Sequence, residues 1–216
     1  MVDSLEGDSC SRTNEGRKRE KAGRAEMYLP AFSAVAAIRR FIVYFSHPLM
    51  ADIIVIAGSP GSGKHTIAAL LRGRLGFPPH VDLGHIREFH LDREWTLANE
   101  QEEAMSFQTL EFMTRHYRKY GYKNIIVTDL QDFRVRQIPE VFAGLDVIII
   151  TLYLSDDGEL KKRISARKEG FKNVEEALSW NSNVRQREGV KNEFKLDNTS
   201  KDPPKIVEKI LKIIGR

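Results

Sequence analysis

The sequence contains a single cysteine among its 216 residues and has no apolar run long enough to cross a bilayer. Cys10 cannot form an intramolecular disulfide, which fits a reducing compartment such as the cytoplasm. The apolar stretches on either side of Arg39 and Arg40 fall short of the roughly 20 residues that a membrane helix needs. The 34 basic residues nearly balance the 30 acidic ones, so the net charge does not favour a nucleic-acid partner.

The first 49 residues differ in composition from the remainder of the chain. Residues 1–26 are rich in serine, glycine and charged side chains, which is typical of disorder. The segment also lacks the positive-then-apolar order of a secretory signal. Because Met50 lies directly before the first predicted strand, we expect residues 1–49 to be a disordered or non-native extension and residues 50–216 to form the domain. A genuine tail or short surface helix is the alternative.

The most specific motif is a glycine-rich loop between an apolar strand and an amphipathic helix. Residues 58–66 have the sequence Gly-Ser-Pro-Gly-Ser-Gly-Lys-His-Thr and follow the apolar run 53–57. Glycines allow several backbone N–H groups to face one anion, and the helix N-terminus adds partial positive charge. Lys64 supplies a full charge that can reach terminal phosphates. This order predicts a nucleotide-phosphate site and not a plain connecting turn.

Apolar runs alternate with helical patterns after Met50. We expect strands at residues 53–57, around 81, at 124–128, at 147–154 and at 194–196. Continuous apolar strands favour a five-stranded, mostly parallel sheet with helices on both faces, which is an α/β three-layer sandwich. Ligands bind such sheets beyond the carboxyl ends of the strands. Polar residues that directly follow a strand are therefore the candidate site.

Two aspartates follow predicted strands in this way. Asp82 comes after the strand around Val81, and Asp129 directly follows the strand at 124–128. An apolar strand that ends in Asp is typical of a Walker B-like element, in which the carboxylate holds Mg²⁺ directly or through water. Each residue has an alternative role as a helix cap or turn residue, and Asp132 is a nearby competitor of Asp129.

The glycine-rich loop resembles the Gly-x-Pro-Gly-x-Gly-Lys-Gly-Thr form of adenylate kinases and other nucleoside monophosphate kinases, with His65 in place of one Gly. The resemblance implies a P-loop NTPase fold with a short lid that binds ATP and Mg²⁺. It also implies that the Thr66 hydroxyl lies near the phosphates and the metal. The ATP-binding residues that it implies in this loop are Gly58, Gly61, Ser62, Gly63, Lys64, His65 and Thr66.

The segment after the second predicted strand, Asp-Leu-Gly-His-Ile-Arg, is similar to the Asp-Gly-Asp-Asn-Ile-Arg stretch of adenylylsulfate kinases. The resemblance implies that Asp82 orients or deprotonates an acceptor hydroxyl and that Arg87 holds an anionic acceptor. Arg134 lies near the arginine position of the Asp-Gly-Phe-Pro-Arg element of adenylate kinases, which implies a second substrate contact.

The Leu-Asp-Asn-Thr run at residues 196–199 resembles the nucleotide loop of dephospho-coenzyme A kinases. That resemblance implies that Asn198 and Thr199 contact ATP, although a turn rich in Asn, Ser and Asp is the alternative.

Several basic residues follow the fourth predicted strand. Arg163 and Arg167 are four positions apart, so we expect them on one face of a helix. In the kinases that the chain resembles, lid arginines neutralise the transferring phosphoryl group. We expect Arg163 and Arg167 in that catalytic role, with Arg185 and Arg187 as weaker candidates. A solvated basic face is the alternative.

Together these features predict an ATP-dependent kinase, a monomer or homodimer, that moves the γ-phosphoryl group to a small acceptor. A nucleotide or nucleoside is favoured, and a sugar or an antibiotic is also compatible with the sequence. Two other classes stay open, namely an ATP-binding switch or ATPase without a small acceptor and a nucleic-acid end kinase. The latter would need a basic groove and salt-sensitive binding.

Three histidines, His80, His85 and His90, fall at five-residue spacing. This spacing is not that of a helical metal-ligand pair, and no cysteine accompanies them. We therefore expect no structural metal site at these positions.

Overall fold

The computed structural model describes residues 50–89, 100–200 and 202–215. The predicted extension over residues 1–49, with Cys10, and His90 lie outside these ranges. The strands are β1 (Ile53–Gly58), β2 (His80–Asp82), β3 (Ile125–Thr128), β4 (Val147–Tyr153) and β5 (Glu193–Asp197). The helices are α1 (Lys64–Arg74), α2 (Leu83–Glu88), α3 (Glu100–Lys119), α4 (Asp132–Val141), α5 (Asp157–Ser165), α6 (Val174–Gln186) and α7 (Pro203–Ile214).

The five strands form one sheet in the order β2-β3-β1-β4-β5, and every pair is parallel. The central strand β1 is buried along its whole length, with Ile54 beside Ile126 of β3 and Ile148 of β4. A strand covered on both faces needs a continuous apolar sequence, which β1 has. The predicted α/β fold class and its five parallel strands are confirmed.

Alternate side chains of β1 enter two different cores, because successive residues of a strand face opposite sides of the sheet. On one side, Ile53 and Val55 pack with residues of α2, α3 and α4, including Phe107 and Leu110. On the other side, the alternate residues pack with α1 and α7. The sheet therefore has helices on both faces, and its carboxyl edge is left for polar groups.

Side-chain caps fix where several helices begin. Asp82 accepts a hydrogen bond from the His85 N–H at 3.2 Å and caps α2. Asp156 caps α5, and Asn173 caps α6 together with Glu176. Among the helices of the described ranges, none is both long and apolar enough to span a membrane.

Candidate active site

The loop between β1 and α1, residues 58–63, is named here the phosphate loop. Gly58 and Gly63 both adopt positive φ, at 137° and 93°. A Cβ at Gly58 would lie 2.2 Å from the Leu152 carbonyl oxygen, and one at Gly63 would lie 2.7 Å from Nδ2 of Asn198. Both conformation and space exclude a side chain at these two positions. The glycines thus permit the tight turn that leads into the N-terminus of α1.

Lys64 is the first residue of α1 and is only 8% exposed. Its Nζ donates hydrogen bonds to the carbonyl oxygens of Gly58 at 2.9 Å and Ser59 at 3.2 Å. Burial lowers the pKa of Lys64. The negative charges of Asp129 and Asp82 act in the opposite direction, and the positive charge of Arg167 lowers the pKa further. Lys64 therefore lies within electrostatic reach of three charged residues that the sequence predicted for the site.

A hydrogen-bonded network surrounds Asp82 at the end of β2. Its Oδ2 accepts from the Thr128 hydroxyl at 2.5 Å and lies 3.1 Å from Nε2 of His65. Nε2 of His80 lies 2.7 Å from the same Thr128 hydroxyl. Because that hydroxyl donates its proton to the carboxylate, Nε2 of His80 is the donor in the second contact. Side chains from α1, β2 and β3 thus take part in the network that orients Asp82.

The network also controls the charge of Asp82. Burial raises the pKa of Asp82, but hydrogen bonds from His65, Thr128 and the His85 N–H outweigh it and hold the pKa well below its ordinary value. The hydrogen bond to Asp82 in turn raises the pKa of His65, against the effect of burial. Asp82 is therefore ionised at neutral pH and can accept a hydrogen bond from a ligand.

Asp82 and Asp129 converge on Gly84, the second residue of α2. A Cβ at Gly84 would lie 2.7 Å from Oδ2 of Asp129 and 2.9 Å from Oδ1 of Asp82. Asp129 itself adopts a φ of 63°, a strained conformation for a residue with a side chain. Carboxylate oxygens are the ligands that Mg²⁺ prefers, so the donors at this edge fit that ion.

The remaining residues at the start of α1 differ in their exposure. The Ser62 side chain is fully buried, and its Oγ has no hydrogen-bond partner within the described part of the chain. His65 and Thr66 are both exposed in the first turn of α1. Thr66 is thus exposed at the position where its contact with the phosphates or the metal is predicted.

Arg163 makes contacts that the sequence did not predict. Its guanidinium donates to the Asn198 carbonyl at 3.0 Å and the Thr199 carbonyl at 3.1 Å, and it pairs with Glu159 at 2.8 Å. A longer contact of 3.5 Å reaches the Gly61 carbonyl. Arg163 therefore ties the phosphate loop to the segment after β5.

Arg167 does not share the helical face of Arg163. Helix α5 ends at Ser165, so the expectation of one common face is wrong. Nη1 of Arg167 donates to the Phe171 carbonyl at 3.4 Å. Its effect on the pKa of Lys64 nevertheless indicates that its charge acts on the phosphate loop. The catalytic role of the two arginines stays a prediction.

Asn198 contacts the phosphate loop directly. Its Nδ2 donates to the Ser62 carbonyl at 2.8 Å. Asp197, which the sequence did not single out, accepts hydrogen bonds from the Ser155 hydroxyl at 2.6 Å and the Thr199 N–H at 3.0 Å. Asn198 and Thr199 are thus held beside the loop, as a nucleotide-contacting segment requires.

Arg187 belongs to a structural ion-pair network. Its guanidinium lies 2.7 Å from Glu193 and 2.7 Å from Asp132, and the Glu193 side chain is fully buried. Asp132 is therefore engaged with Arg187, which leaves Asp129 as the better metal candidate. Arg185 pairs with Asp157 at 3.3 Å on the surface.

The two predicted substrate-binding arginines lie close together on opposite sides of Glu103. Nη2 of Arg87 is 2.7 Å from Oε2 of Glu103, and Nε of Arg134 is 3.9 Å from Oε1. Glu103 was not singled out in the sequence. It occupies the first turn of α3, where an acidic side chain ordinarily stabilises the helix N-terminus.

Asn181 is a second residue that sequence reasoning missed. It is fully buried in α6, accepts from the Leu154 N–H at 3.0 Å and donates to the Leu154 carbonyl at 2.8 Å. Its Oδ1 also receives the Ser59 hydroxyl at 3.3 Å. Its burial could have been predicted from helical spacing, since Asn181 lies between Ala177 and Val184 on the buried face of its helix.

The comparison with family models agrees with this geometry. A model described as an AAA domain, AAA_18, matches residues 54–183, which is more than half of the chain. The chain belongs to the AAA_18 family. The chain is 27% identical over 165 residues to a protein of Thermococcus kodakarensis named "Putative adenylate kinase", a match that covers 76% of the chain and 86% of the relative.

Solved structures of similar fold include two kinases. A sugar kinase from Janibacter sp. HTCC2649 has a TM-score of 0.57 at 18% identity, with 75% of the present chain and 93% of that chain covered. A gluconokinase from Sinorhizobium meliloti 1021 has a TM-score of 0.55 at 15% identity, with 76% and 91% covered. These likenesses concern the fold, and the prediction of a P-loop kinase architecture is confirmed. The agreement of family, relative and fold also accords with the predicted phosphotransferase.

Proposed function

We propose that this AAA domain transfers the γ-phosphoryl group of ATP to the hydroxyl or phosphate of a small acceptor. The observation that carries the proposal is that the phosphate loop, with its buried Lys64, lies at the carboxyl edge beside Asp82, which contacts His65 and converges with Asp129 on Gly84. A nucleotide or nucleoside is the favoured acceptor, because the relative in Thermococcus kodakarensis is named as an adenylate kinase. The fold neighbours act on sugars or gluconate, so these are the next candidates.

Each residue has a defined part in the proposed reaction. The N–H groups of the phosphate loop and Lys64 would hold the phosphates, while Thr66 and Asp129 would hold Mg²⁺. ATP with Mg²⁺ supplies the phosphoryl group that is transferred. Asp82 accepts the hydrogen bond of an acceptor hydroxyl and takes up its proton as the new oxygen–phosphorus bond forms, while the bond from the γ-phosphorus to the β,γ-bridging oxygen breaks and ADP leaves. Arg167 stabilises the negative charge that develops, so the catalysis consists largely of positioning and electrostatics.

The test is ATP consumption by the full chain with Mg²⁺ and pools of acceptors. The pools contain nucleosides, nucleotides, sugars, sugar acids and aminoglycosides. We expect one pool to raise turnover, and we expect Lys64→Ala to lower that turnover by at least about 100-fold. Lys191→Ala, which changes an exposed lysine, is the matched control. Full activity of Lys64→Ala would refute the site assignment.

The same experiment separates the rival classes. ATP binding with slow hydrolysis that no pool accelerates would point to a switch or ATPase without a small acceptor. Turnover that appears only with a nucleic-acid end, and that falls steeply with salt, would point to an end kinase.

A further inference from the structure

A buried group of opposite charges includes residues of the two helices that follow Asp82 and Asp129 along the chain. It consists of Arg87, Glu103 and Arg134 and is named here the arginine–glutamate cluster. Glu103 is 8% exposed, and the side chains of Arg87 and Arg134 are 11% and 14% exposed. Arg87 comes from α2, Glu103 from α3 and Arg134 from α4, so three elements build this cluster.

The two arginines of the cluster each follow one of the site carboxylates by five residues. Arg87 follows Asp82, the N-cap of α2, by five residues, a rise of about 7 Å in a helix. Arg134 follows Asp129 by five residues and is the third residue of α4. Both guanidinium groups therefore belong to helices that start at the edge where phosphoryl transfer is proposed.

The surroundings of Arg134 fix its orientation. Its guanidinium carbon lies 4.5 Å from the centre of the Phe107 ring and 4.8 Å from the centre of the Phe133 ring. Such contacts hold a guanidinium in place without supplying a counter-charge. The nearest counter-charge among the described residues is Glu103, at the longer distance of 3.9 Å.

Glu103 is held chiefly by its ion pair with Arg87, whose Nη2 lies 2.7 Å from Oε2. Within the described ranges, neither of its carboxylate oxygens has a hydrogen-bond partner of good geometry, in spite of the 2.7 Å contact with Arg87. The Ser106 hydroxyl, one helical turn further along α3, is also buried and has no partner in the same part of the chain. Buried polar groups are normally satisfied, and exceptions call for a ligand or a functional explanation.

We propose that Glu103 is the internal counter-ion of the acceptor site. The anionic group of an acceptor binds Arg87 and Arg134 in competition with the Glu103 carboxylate. Because like charges repel strongly where water is excluded, Glu103 weakens the binding of a dianion more than that of a monoanion. Glu103 therefore sets how much negative charge the acceptor can carry. This inference rests on the proposed function for the position of the acceptor.

The test is Glu103→Gln, which removes the charge and keeps the shape. Binding to the full chain is measured by titration calorimetry, without ATP, for AMP, gluconate and adenosine as dianionic, monoanionic and neutral probes. Relative to the wild type, we expect the variant to bind AMP about tenfold more tightly and gluconate about threefold more tightly, with adenosine changed by less than about twofold. Glu100→Gln, an exposed neighbour in the same helical turn, is the matched control.

The direction of the change distinguishes a charge role from a structural one. A variant that is merely misfolded loses affinity, so a gain that is confined to anions cannot arise from misfolding. Unchanged or weaker AMP binding by folded Glu103→Gln, or an equal gain for adenosine, overturns the inference. So does the absence of AMP and gluconate binding in both proteins.

If Glu103→Gln does not fold, Glu103→Asp retains a carboxylate but withdraws it by one methylene. That variant is expected to tighten AMP binding by a smaller factor than tenfold, and weaker binding by the folded protein counts against the inference. Tighter AMP binding by the Gln variant, together with no phosphoryl transfer to any acceptor, would leave the counter-ion role standing and reject the proposed function alone.

Discussion

Nε2 of His65 lies 3.1 Å from Oδ2 of Asp82, so the first turn of α1 is joined to the residue that caps α2. His65 stands directly after Lys64, where the kinases that the chain resembles have a glycine. A glycine could not make this contact. The substitution therefore adds a bond between the phosphate-binding helix and the carboxylate that is proposed to meet the acceptor.

Asp82→Asn tests the role of that carboxylate. Asparagine caps helices as well as aspartate does, so α2 should form normally. With a hydroxyl acceptor we expect turnover to fall about 100-fold, because asparagine cannot take up a proton. The ATP affinity should stay within about twofold, since Asp82 is not assigned to ATP. Steady-state kinetics and ATP titration measure the two quantities.

If the acceptor is an ionised phosphate, which has no proton to give up, the effect of Asp82→Asn should be smaller. Glu208→Gln, a change at an exposed carboxylate, is the control. Wild-type turnover of the Asn variant with a neutral hydroxyl acceptor would contradict the assignment.

Gly84→Ala tests the space between the two aspartates. The new Cβ would lie less than 3 Å from one oxygen of each carboxylate, so Asp82 or Asp129 must move. The backbone of Gly84 is not at positive φ, and alanine therefore fits the helix. We expect turnover to fall at least about tenfold, since displacing a catalytic group by about 1 Å can lower the rate by more than tenfold. The melting temperature should change little.

Gly73→Ala is the matched control, because a Cβ at Gly73 meets no atom within 4 Å. Alanine there should stabilise α1 by about 0.5–1 kcal/mol and leave turnover unchanged. Equal turnover of the Gly84 and Gly73 variants would show that the carboxylates need not be where the structure has them.

Asn181→Ala tests the link between α6 and the end of β4. The change leaves the N–H and carbonyl of Leu154 without their partner in a buried place. We expect the free energy of unfolding to fall by about 2–4 kcal/mol, as measured by urea denaturation. Asn183→Ala, at an exposed position on the same helix, is the control and should change the free energy of unfolding by less than about 0.5 kcal/mol. A loss no larger than that of the control would mean that water or a shift of backbone replaces these bonds.

Glu193→Gln tests the buried ion pair with Arg187. Burial raises the pKa of Glu193, but hydrogen bonds from Arg187, Thr151 and the Val190 N–H outweigh it and lower the pKa below 4.5. The ionised carboxylate is thus favoured by folding. Its contribution to stability is present above pH 4.5, the unfolded value, and is lost as the pH falls through the lower folded value.

At pH 7 we therefore expect Glu193→Gln to lower the free energy of unfolding by about 3 kcal/mol. The difference from the wild type should shrink as the pH falls below 4.5. Denaturation curves at several pH values measure both effects. Glu208→Gln, in the exposed pair with Arg74, should show little effect at any pH. A constant difference down to the most acidic pH would contradict the assigned titration.

The parts of the fold that the sequence predicted correctly depend on local pattern. The phosphate loop was predicted because a glycine-rich stretch, Lys64 and an apolar strand are adjacent in the chain. The strands were predicted because their apolar runs are continuous. In contrast, the arginine–glutamate cluster unites residues from three helices, and no local pattern indicates that Glu103 lies between Arg87 and Arg134.

The error at Arg167 has a local cause. The sequence offers no stop signal after Arg163, since no glycine or proline occurs between Gly158 and Gly170. The helix nevertheless ends at Ser165. The contacts of Arg163 were equally hidden, because its partners are main-chain carbonyls, which any residue presents.

Strand β1 has hydrogen-bonded neighbours on both sides and no exposed residue, whereas β2 and β5 form the edges of the sheet. Amide protons of such a strand exchange with solvent only when the whole domain opens, and those of edge strands exchange through smaller openings. The phosphate loop therefore begins at the end of the strand whose amide protons are expected to exchange most slowly. If the proposed function holds, opening at the β2 edge, next to Asp82, should therefore cost less free energy than opening at the strand that carries the phosphate loop.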